Sequence, residues 1–326
     1  MLTGMQMSPR HIALAVLVAA VWGVNFVVIH VGLGHFPPFL FGALRFAVVA
    51  VPAVFFVGRP RVAFRWVVAV GLTLGVAKFG LLFFAMNAGM PSGLSSLVLQ
   101  SQAVFTAVFA AALLRERPPV QRIAGLAIAF AGIGVAAVDR GLNGPVGAFA
   151  LVILSAAFWG LSNVLTKKAA PADALRWMVW MSAVPVLPLL ALSLLFEGPS
   201  AAGEAFAALS PAGIGAVLYV GLGSTLFGFM AWSFLLGRYD ASAVAPYSLL
   251  VPVFGMSSSW LLLGEGISPL GAGAALLVVL GIGLTALRPG ALGSVRVLSS
   301  GRPTGLLRRR VRPVAGPAAE PPARLG

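Results

Sequence analysis

Long apolar stretches follow one another along almost the whole chain, and short polar segments separate them. A helix needs about 20 apolar residues to cross the hydrocarbon layer of a bilayer, which is roughly 30 Å thick. The pattern therefore predicts membrane-spanning helices, and we count ten. They cover approximately residues 11–33, 39–57, 66–86, 92–114, 121–138, 147–168, 175–196, 212–236, 242–264 and 269–288. The predicted fold class is an all-α integral membrane protein.

The order of the spans contains an internal repeat. Residues 97–138 return, shifted by 149 positions, as residues 246–287, and the first span returns as the sixth at an offset of 137. A repeat of this length has to be recognised before any residue is given a role. The identities include Trp22 with Trp159, Gly23 with Gly160, Glu116 with Glu265, and Gly132 with Gly281. The 12-residue difference between the offsets predicts an insertion in the second copy, which we place in a loop over residues 197–210.

The repeat divides the chain into three parts: a first repeat (1–140), a second repeat (141–288) and a tail (289–326). Each copy holds five predicted spans, and because five is odd, the second copy must enter the membrane from the opposite side. We therefore predict two inverted five-helix repeats. Inverted repeats that meet around a midplane site are typical of secondary transporters that work by alternating access.

The distribution of charge predicts the orientation in the membrane. Cytoplasmic loops carry an excess of lysine and arginine. With the N-terminus in the cytoplasm, Arg140 is the only loop cation outside, and the outer loops hold Asp139, Glu197, Glu204 and Glu265. Both termini are therefore predicted to be cytoplasmic. The tail, with its cluster of arginines among proline, glycine and alanine, is predicted to be disordered.

Composition removes several classes of function. The chain is 60% hydrophobic and only 9% charged, which is too few charges to cover a soluble globule of 326 residues. It has no cysteine, and its three histidines lack helical i, i+4 spacing, so we predict neither a metal site nor a cofactor. The sequence has no Walker-type GxxxxGK[ST] loop, so we do not expect this polypeptide itself to be driven by ATP. The net charge of +14 comes mostly from the tail and the inner loops, so nucleic-acid binding is not implied.

Two cations fall inside predicted spans, Arg45 in the second and Lys78 in the middle of the third. An intramembrane cation costs roughly 3 kcal/mol or more unless it is paired or reaches water. No acidic residue lies at that depth. One interpretation is structural, with Arg45 reaching outward or bonding to carbonyls near Pro37 and Pro38. The other is an aqueous cavity for an anionic or zwitterionic solute whose carboxylate supplies the missing partner. Lys78 could also release its proton while it is occluded, which would couple transport to protons.

Other polar and aromatic residues in the spans are further candidates for solute binding. They are Trp22, Asn25, Gln100, Gln102, Asn163, Trp232 and Tyr247. For each of them the alternative is a structural hydrogen bond between helices, which is worth about 0.6 kcal/mol on average. Pro246 and Pro252 are expected to break the ninth span, and proline at that depth is tolerated where freed backbone groups face protein or water.

At these residues the chain resembles the EamA-like part of the drug/metabolite transporter superfamily. The stretches that carry the resemblance are Val21-Trp-Gly-Val-Asn-Phe26, Gly42-Ala-Leu-Arg-Phe46, Gly89-Met-Pro-Ser-Gly-Leu-Ser-Ser-Leu-Val-Leu-Gln-Ser-Gln-Ala103, Leu113-Leu-Arg-Glu116, Phe158-Trp-Gly160, Leu236-Gly-Arg-Tyr239 and Ala245-Pro-Tyr-Ser-Leu-Leu-Val-Pro-Val253. The sequence is most similar to the O-acetylserine/cysteine exporter branch. This resemblance implies ten helices in two inverted repeats and the export of small amino-acid metabolites across a bacterial inner membrane.

The leading hypothesis is therefore a secondary exporter of amino acids or related metabolites, with a small-molecule substrate and the lipid bilayer as its partners. A second hypothesis is a carrier of another organic anion, such as a phosphorylated metabolite or a nucleotide sugar, because two cations would suit a phosphate. A third is a membrane-embedded enzyme. The spans hold no grouping of histidine and carboxylate, so we predict that the chain is not an enzyme. Assembly as a homodimer is left open.

Overall fold

The computed structural model describes residues 7–115, 120–139, 146–239 and 244–286, and every regular element in these ranges is helical. The helices of the first half of the chain are α1 (Pro9–Leu33), α2 (Pro38–Val54), α3 (Phe64–Val70), α4 (Phe79–Asn87), α5 (Ser92–Val98), α6 (Gln102–Leu114) and α7 (Val120–Asp139). Those of the second half are α8 (Val146–Ala169), α9 (Ala174–Ala183), α10 (Val186–Leu192), α11 (Gly198–Ala207), α12 (Pro211–Leu218), α13 (Gly228–Arg238), α14 (Leu250–Leu263) and α15 (Pro269–Ala286).

Several of these helices are joined end to end by turns of other helical types. Wide π-helical segments follow α3, α10 and α12, at Gly71–Lys78, Ser193–Glu197 and Tyr219–Phe227. Tighter 3₁₀ turns lie between α5 and α6 (Leu99–Ser101) and before α14 (Ala245–Leu249). Such departures from α geometry are frequent at functional sites.

All ten predicted apolar stretches coincide with helical segments, and their ends agree within about three residues where they can be compared. Within the described residues, six helical segments are long and apolar enough to cross a membrane, and four shorter apolar helices accompany them. The six are Pro9–Leu33, Phe64–Asn87, Ser92–Leu114, Val146–Ala169, Ala174–Ala207 and Pro211–Leu236. The protein is thus a multi-pass membrane protein, all-helical over the residues that the structure describes. The predicted disordered tail and Glu116 lie outside the described residues.

One local expectation was wrong. The segment 197–210 was predicted to be a loop, but most of it forms α11. The chain turns sharply at Gly198, whose φ of 84° lies in the left-handed region that glycine adopts without strain. Proline at the start of α11 then fixes the first turn of the new helix.

Small residues set the spacing between the helices of the two halves. A Cβ added to Gly23 on α1 would lie 2.8 Å from the backbone nitrogen of Gly255 on α14. A Cβ added to Gly160 on α8 would lie 2.7 Å from the backbone nitrogen of Thr106 on α6. Backbones approach this closely in membranes because packing, rather than the hydrophobic effect, holds helices together there.

Candidate functional site: a cationic cavity between the two halves

A cavity of about 560 Å³ lies among the central helices, between segments of the first and second halves. Its wall brings together eight of the nine residues that the sequence singled out. They are Trp22, Asn25, Arg45, Lys78, Gln100, Gln102, Asn163 and Trp232. Residues that lie up to 210 positions apart in the chain thus meet around one space, whose volume suits a small metabolite.

Arg45 and Lys78 lie against the same aromatic ring. The guanidinium carbon of Arg45 is 3.8 Å from the centre of the Phe79 ring, and Lys78 Nζ is 3.2 Å from the same centre. The Trp159 ring lies 4.7 Å from Lys78 Nζ on another side. Both cations are almost fully buried, with exposed fractions of 1% for Arg45 and 4% for Lys78. Aromatic faces attract cations and offset part of their desolvation.

The hydrogen bonds of these two cations are incomplete. Arg45 Nε donates to Thr225 Oγ1 at 3.0 Å, whereas Arg45 Nη1 is buried without a partner. The guanidinium therefore points into the protein, toward Thr225 and Phe79, and not toward the carbonyls near Pro37 and Pro38. In the described parts of the chain, no carboxylate lies within ion-pair distance of Arg45 or Lys78. Both cations line the cavity, and the unused donor Nη1 lies buried within the Arg45 guanidinium, an arrangement that suits an anionic group.

An amide cluster forms a second polar part of the wall, where α6 meets α8. Asn163 Nδ2 donates to Gln102 Oε1 at 2.9 Å and to Thr106 Oγ1 at 3.1 Å. Thr106 in turn donates to the carbonyl oxygen of Gln102 at 2.7 Å. Side chains on both helices hold each other in place, so this wall is fixed before any solute binds.

Aromatic side chains form a third part of the wall. The Trp22 ring centre lies 5.3 Å from that of Phe229 and 5.4 Å from that of Trp232. Trp22 Nε1 donates to the carbonyl oxygen of Ser224 at 3.0 Å, which fixes the indole. Asn25, one helical turn further along α1, is buried and its Oδ1 accepts no hydrogen bond. An unpartnered acceptor beside π faces is a suitable environment for an ammonium group.

The family model that matches the sequence is described as the EamA-like transporter family, and it matches twice, over residues 10–138 and 147–287. The chain belongs to the EamA-like transporter family. This confirms the resemblance that the sequence motifs carried, and the family is one of transporters.

Curated relatives of this EamA-like transporter match along most of its length. A protein of Salmonella typhimurium named "Probable amino-acid metabolite efflux pump" is 41% identical over 283 residues, which cover 85% of this chain and 94% of the relative. A protein of the same name from Escherichia coli is 39% identical over 284 residues, with the same coverage. A "Probable terminal-alkyne amino-acid exporter" of Streptantibioticus cattleyicolor is 26% identical, covering 82% of this chain and 90% of that protein.

A solved crystal structure shares the fold of this EamA-like transporter. It superimposes with a TM-score of 0.60 at 21% identity, and the match covers 90% of this chain and 100% of the other.

Tyr247, the ninth candidate from the sequence, does not line the cavity of this EamA-like transporter. It is half-buried beside a separate apolar cluster that contains Ala15, Leu235, Tyr239 and Val244. Its neighbour Ser248 lines the cavity instead, and the backbone carbonyl of Ser248 accepts a hydrogen bond from Gln100 Nε2 at 3.4 Å.

The residues of the site that were missed from the sequence include three that contact its cations: Phe79, Trp159 and Thr225. Trp159 carried a usable signal, because it is the repeat mate of Trp22 and both line the cavity. Phe79 and Thr225 had no such signal, since neither residue type is unusual in a membrane helix.

Carboxylates accept hydrogen bonds at the starts of two helices of the bundle. Glu197 accepts hydrogen bonds from the backbone N–H groups of Phe39 (2.6 Å) and Leu40 (3.2 Å) at the start of α2. Asp139 at the end of α7 accepts one from Ser268 Oγ at 2.5 Å, just before α15. Negative side chains at helix N-termini pair with unsatisfied N–H groups and with the positive end of the helix dipole. These contacts tie together elements that are distant in the chain.

Proposed function

We propose that this chain is a secondary transporter that exports amino acids or closely related zwitterionic metabolites across a bacterial inner membrane. Belonging to the EamA-like transporter family supports transport, and the names of its relatives in Salmonella typhimurium and Escherichia coli support amino-acid metabolites as the substrate class. The observation that carries the proposal is the pair of buried cations on the Phe79 ring, which has no carboxylate partner among the described residues.

An amino acid supplies what the cavity lacks. Its carboxylate pairs with Lys78 and with the guanidinium of Arg45, so that two buried cations, each costing roughly 3 kcal/mol or more, gain a partner. Its ammonium fits near Asn25 Oδ1 and the Trp22 ring, on the aromatic wall. The two charges of a zwitterion thus find separate positions in one cavity.

Two inverted five-helix repeats, residues 1–140 and 141–288, are the architecture that we propose for this transport. Reciprocal contacts support the repeats. Gly23 packs on Gly255, and their repeat mates Gly160 and Thr106 pack on each other in the same way. Gly132 likewise packs against the carbonyl of Ala274. Its mate Gly281 packs against the carbonyl of Gly125, the mate of Ala274. A two-fold relation between the halves produces such pairs.

The direction of α8 supports the inversion of the second repeat. The end of α8 lies beside the start of α3, where Lys168 Nζ is 5.6 Å from the Trp66 ring. The short connections between α1, α2 and α3 make these helices alternate in direction. The start of α3 is therefore on the side where α1 begins, and α8 ends on that same side. Hence α8 enters the membrane from the side on which α1 leaves it, as inverted repeats require.

We further infer that this arrangement faces inward, with both termini in the cytoplasm. The cavity extends to Thr166 and Leu236, next to the cations Lys167, Lys168 and Arg238, which the positive-inside rule assigns to the cytoplasm. The opposite, outer end is the one held closed by carboxylates at helix N-termini. Alternating access then requires these outer contacts to open when the cavity closes toward the cytoplasm.

Counterflow in proteoliposomes tests the proposed function. Vesicles are loaded in turn with a panel of amino acids, including cysteine and O-acetylserine, and with sugar phosphates and nucleotide sugars, and the entry of the labelled solute is followed with and without a pH gradient. Exchange of amino acids supports the proposal. Exchange of a phosphorylated solute without any amino acid refutes it, and assigns the two cations to a phosphate.

A further inference from the structure

The guanidinium of Arg45 is held by one side chain of the other half of the protein. Arg45 Nε donates to Thr225 Oγ1 at 3.0 Å, and the two residues lie 180 positions apart in the chain. Both are buried, with exposed fractions of 1%. Since water does not reach this hydrogen bond, it fixes the direction of the arginine side chain.

The hydroxyl of Thr225 is oriented to accept this bond. It has a single hydrogen, which it donates to the carbonyl oxygen of Val220 at 2.7 Å. Val220 and Thr225 are five residues apart within the π-helical segment Tyr219–Phe227, and the wide turn leaves that carbonyl within reach of the side chain. With its hydrogen committed, the oxygen presents its lone pairs to Arg45.

A close approach of backbones brings the π-helical segment to α2. A Cβ on Gly221 would lie 3.0 Å from the carbonyl oxygen of Arg45 and would overlap the side chain of Val48. The arginine is thus held at its backbone by packing and at Nε by Thr225, while its guanidinium carbon stacks on Phe79. The hydrogen bond to Thr225 leaves the Nη side of the guanidinium for other partners, and Nη1 on that side is buried without one.

We propose that Thr225 is a positioning residue for substrate binding: it holds Arg45 so that the free edge of the guanidinium meets the carboxylate of the substrate. This rests on the proposed function for the role of Arg45. A positioned guanidinium gives up less conformational freedom on binding than a mobile one, so Thr225 acts on affinity without touching the substrate.

Counterflow KM values of five variants test this role. Thr225→Val keeps the shape and removes the acceptor, and we expect KM to rise at least about tenfold while the maximal rate stays within about twofold. Thr225→Ser keeps the hydroxyl and is expected to stay within about twofold of the wild-type KM. Thr73→Val is the matched control, because Thr73 also lies in a π-helical segment and bonds the carbonyl of Ala69 at 2.8 Å, with no contact to Arg45. Its KM is expected to be unchanged.

The fourth variant combines Thr225→Val with Arg45→Gln, measured beside Arg45→Gln alone. If Thr225 acts through Arg45, adding Thr225→Val to Arg45→Gln causes no further rise in KM. KM does not depend on the amount of folded protein, so partial misfolding of Thr225→Val leaves the comparison valid. Equal KM values for Thr225→Val and Thr225→Ser, or independent effects in the double variant, overturn the positioning role.

The proposed function is judged by a separate result, the exchange of solutes by the wild-type protein. The proposed function is refuted when the wild-type protein exchanges no amino acid. The KM values of the same five variants are then measured for the anion that it does exchange, and the role of Thr225 is judged on that solute.

Discussion

Glu265 Oε1 accepts a hydrogen bond from the backbone N–H of Ser92 at 2.7 Å, and Oε2 accepts one from Gly93 at 2.9 Å. The end of α14 is thereby joined to the start of α5, across the two halves of the protein. Charge-assisted hydrogen bonds at a helix N-terminus are worth about 1 to 2 kcal/mol in partly buried positions. In the inward-facing arrangement that we propose, this contact contributes to keeping the outer end closed.

We expect Glu265→Gln to weaken this closure and to expose the outer end several-fold more often. The chain has no cysteine, so an introduced one is a unique probe. Leu94, which lines a small pocket with Glu265, is replaced by cysteine, and its labelling by a membrane-impermeant maleimide is timed. Faster labelling in the Glu265→Gln background is the expected result. Glu204→Gln is the control, because Glu204 is an exposed acid of α11. If both acids give the same labelling rate, the Glu265 contact does not hold the outer end.

A second prediction concerns Lys78. Lys78→Gln is expected to raise the KM for amino acids at least about tenfold, because it removes one of the two charges that pair with the carboxylate. If Lys78 also carries the coupled proton, transport by the variant loses its dependence on the pH gradient. Both are measured by counterflow at several external pH values. Lys168→Gln, which removes a cation from beside Trp66 and outside the cavity, is the matched control. An unaltered pH profile in Lys78→Gln excludes Lys78 as the proton carrier.

A third prediction uses the symmetry of the packing. Gly23→Ala and Gly160→Ala each insert a methyl group where another backbone already lies within 3 Å, so each is expected to destabilise the fold by about 1 to 3 kcal/mol. The midpoint of thermal unfolding in detergent measures this effect. Gly134→Ala serves as the control, because a Cβ at Gly134 meets nothing within 4 Å and alanine favours a helix. A loss of stability at only one of the two repeat mates would contradict the reciprocal packing.

The helices could be predicted closely from the sequence, because the apolar length needed to cross a bilayer is nearly fixed. The π-helical segments could not. Hydropathy reports transfer out of water and is insensitive to whether Gly71–Lys78 winds with 3.6 or more residues per turn. The helix α11 was missed for a similar reason, since its polar residues are also typical of a loop.

The cations of the candidate site could also be predicted, because Arg45 and Lys78 are too costly at that depth to be incidental. Tyr247 shows the limit of this reasoning. The 3₁₀ turn Ala245–Leu249 rotates successive residues by about 120°, so Ser248 lines the cavity and Tyr247 packs elsewhere. Thr225 was beyond prediction, because its role depends on a partner 180 residues away.

The inverted repeat that we propose makes one more prediction, at the repeat mate of Glu265. Glu116 lies outside the described residues, but the inversion assigns it to the cytoplasmic end, where an equivalent contact would stabilise the outward-facing arrangement. Glu116→Gln is then expected to favour the inward-facing state and to slow the labelling of the Leu94→Cys probe, opposite to Glu265→Gln. Two charge-neutralising substitutions of the same residue type would thus act in opposite directions, which a parallel duplication does not produce. Faster labelling in both variants would contradict the inversion.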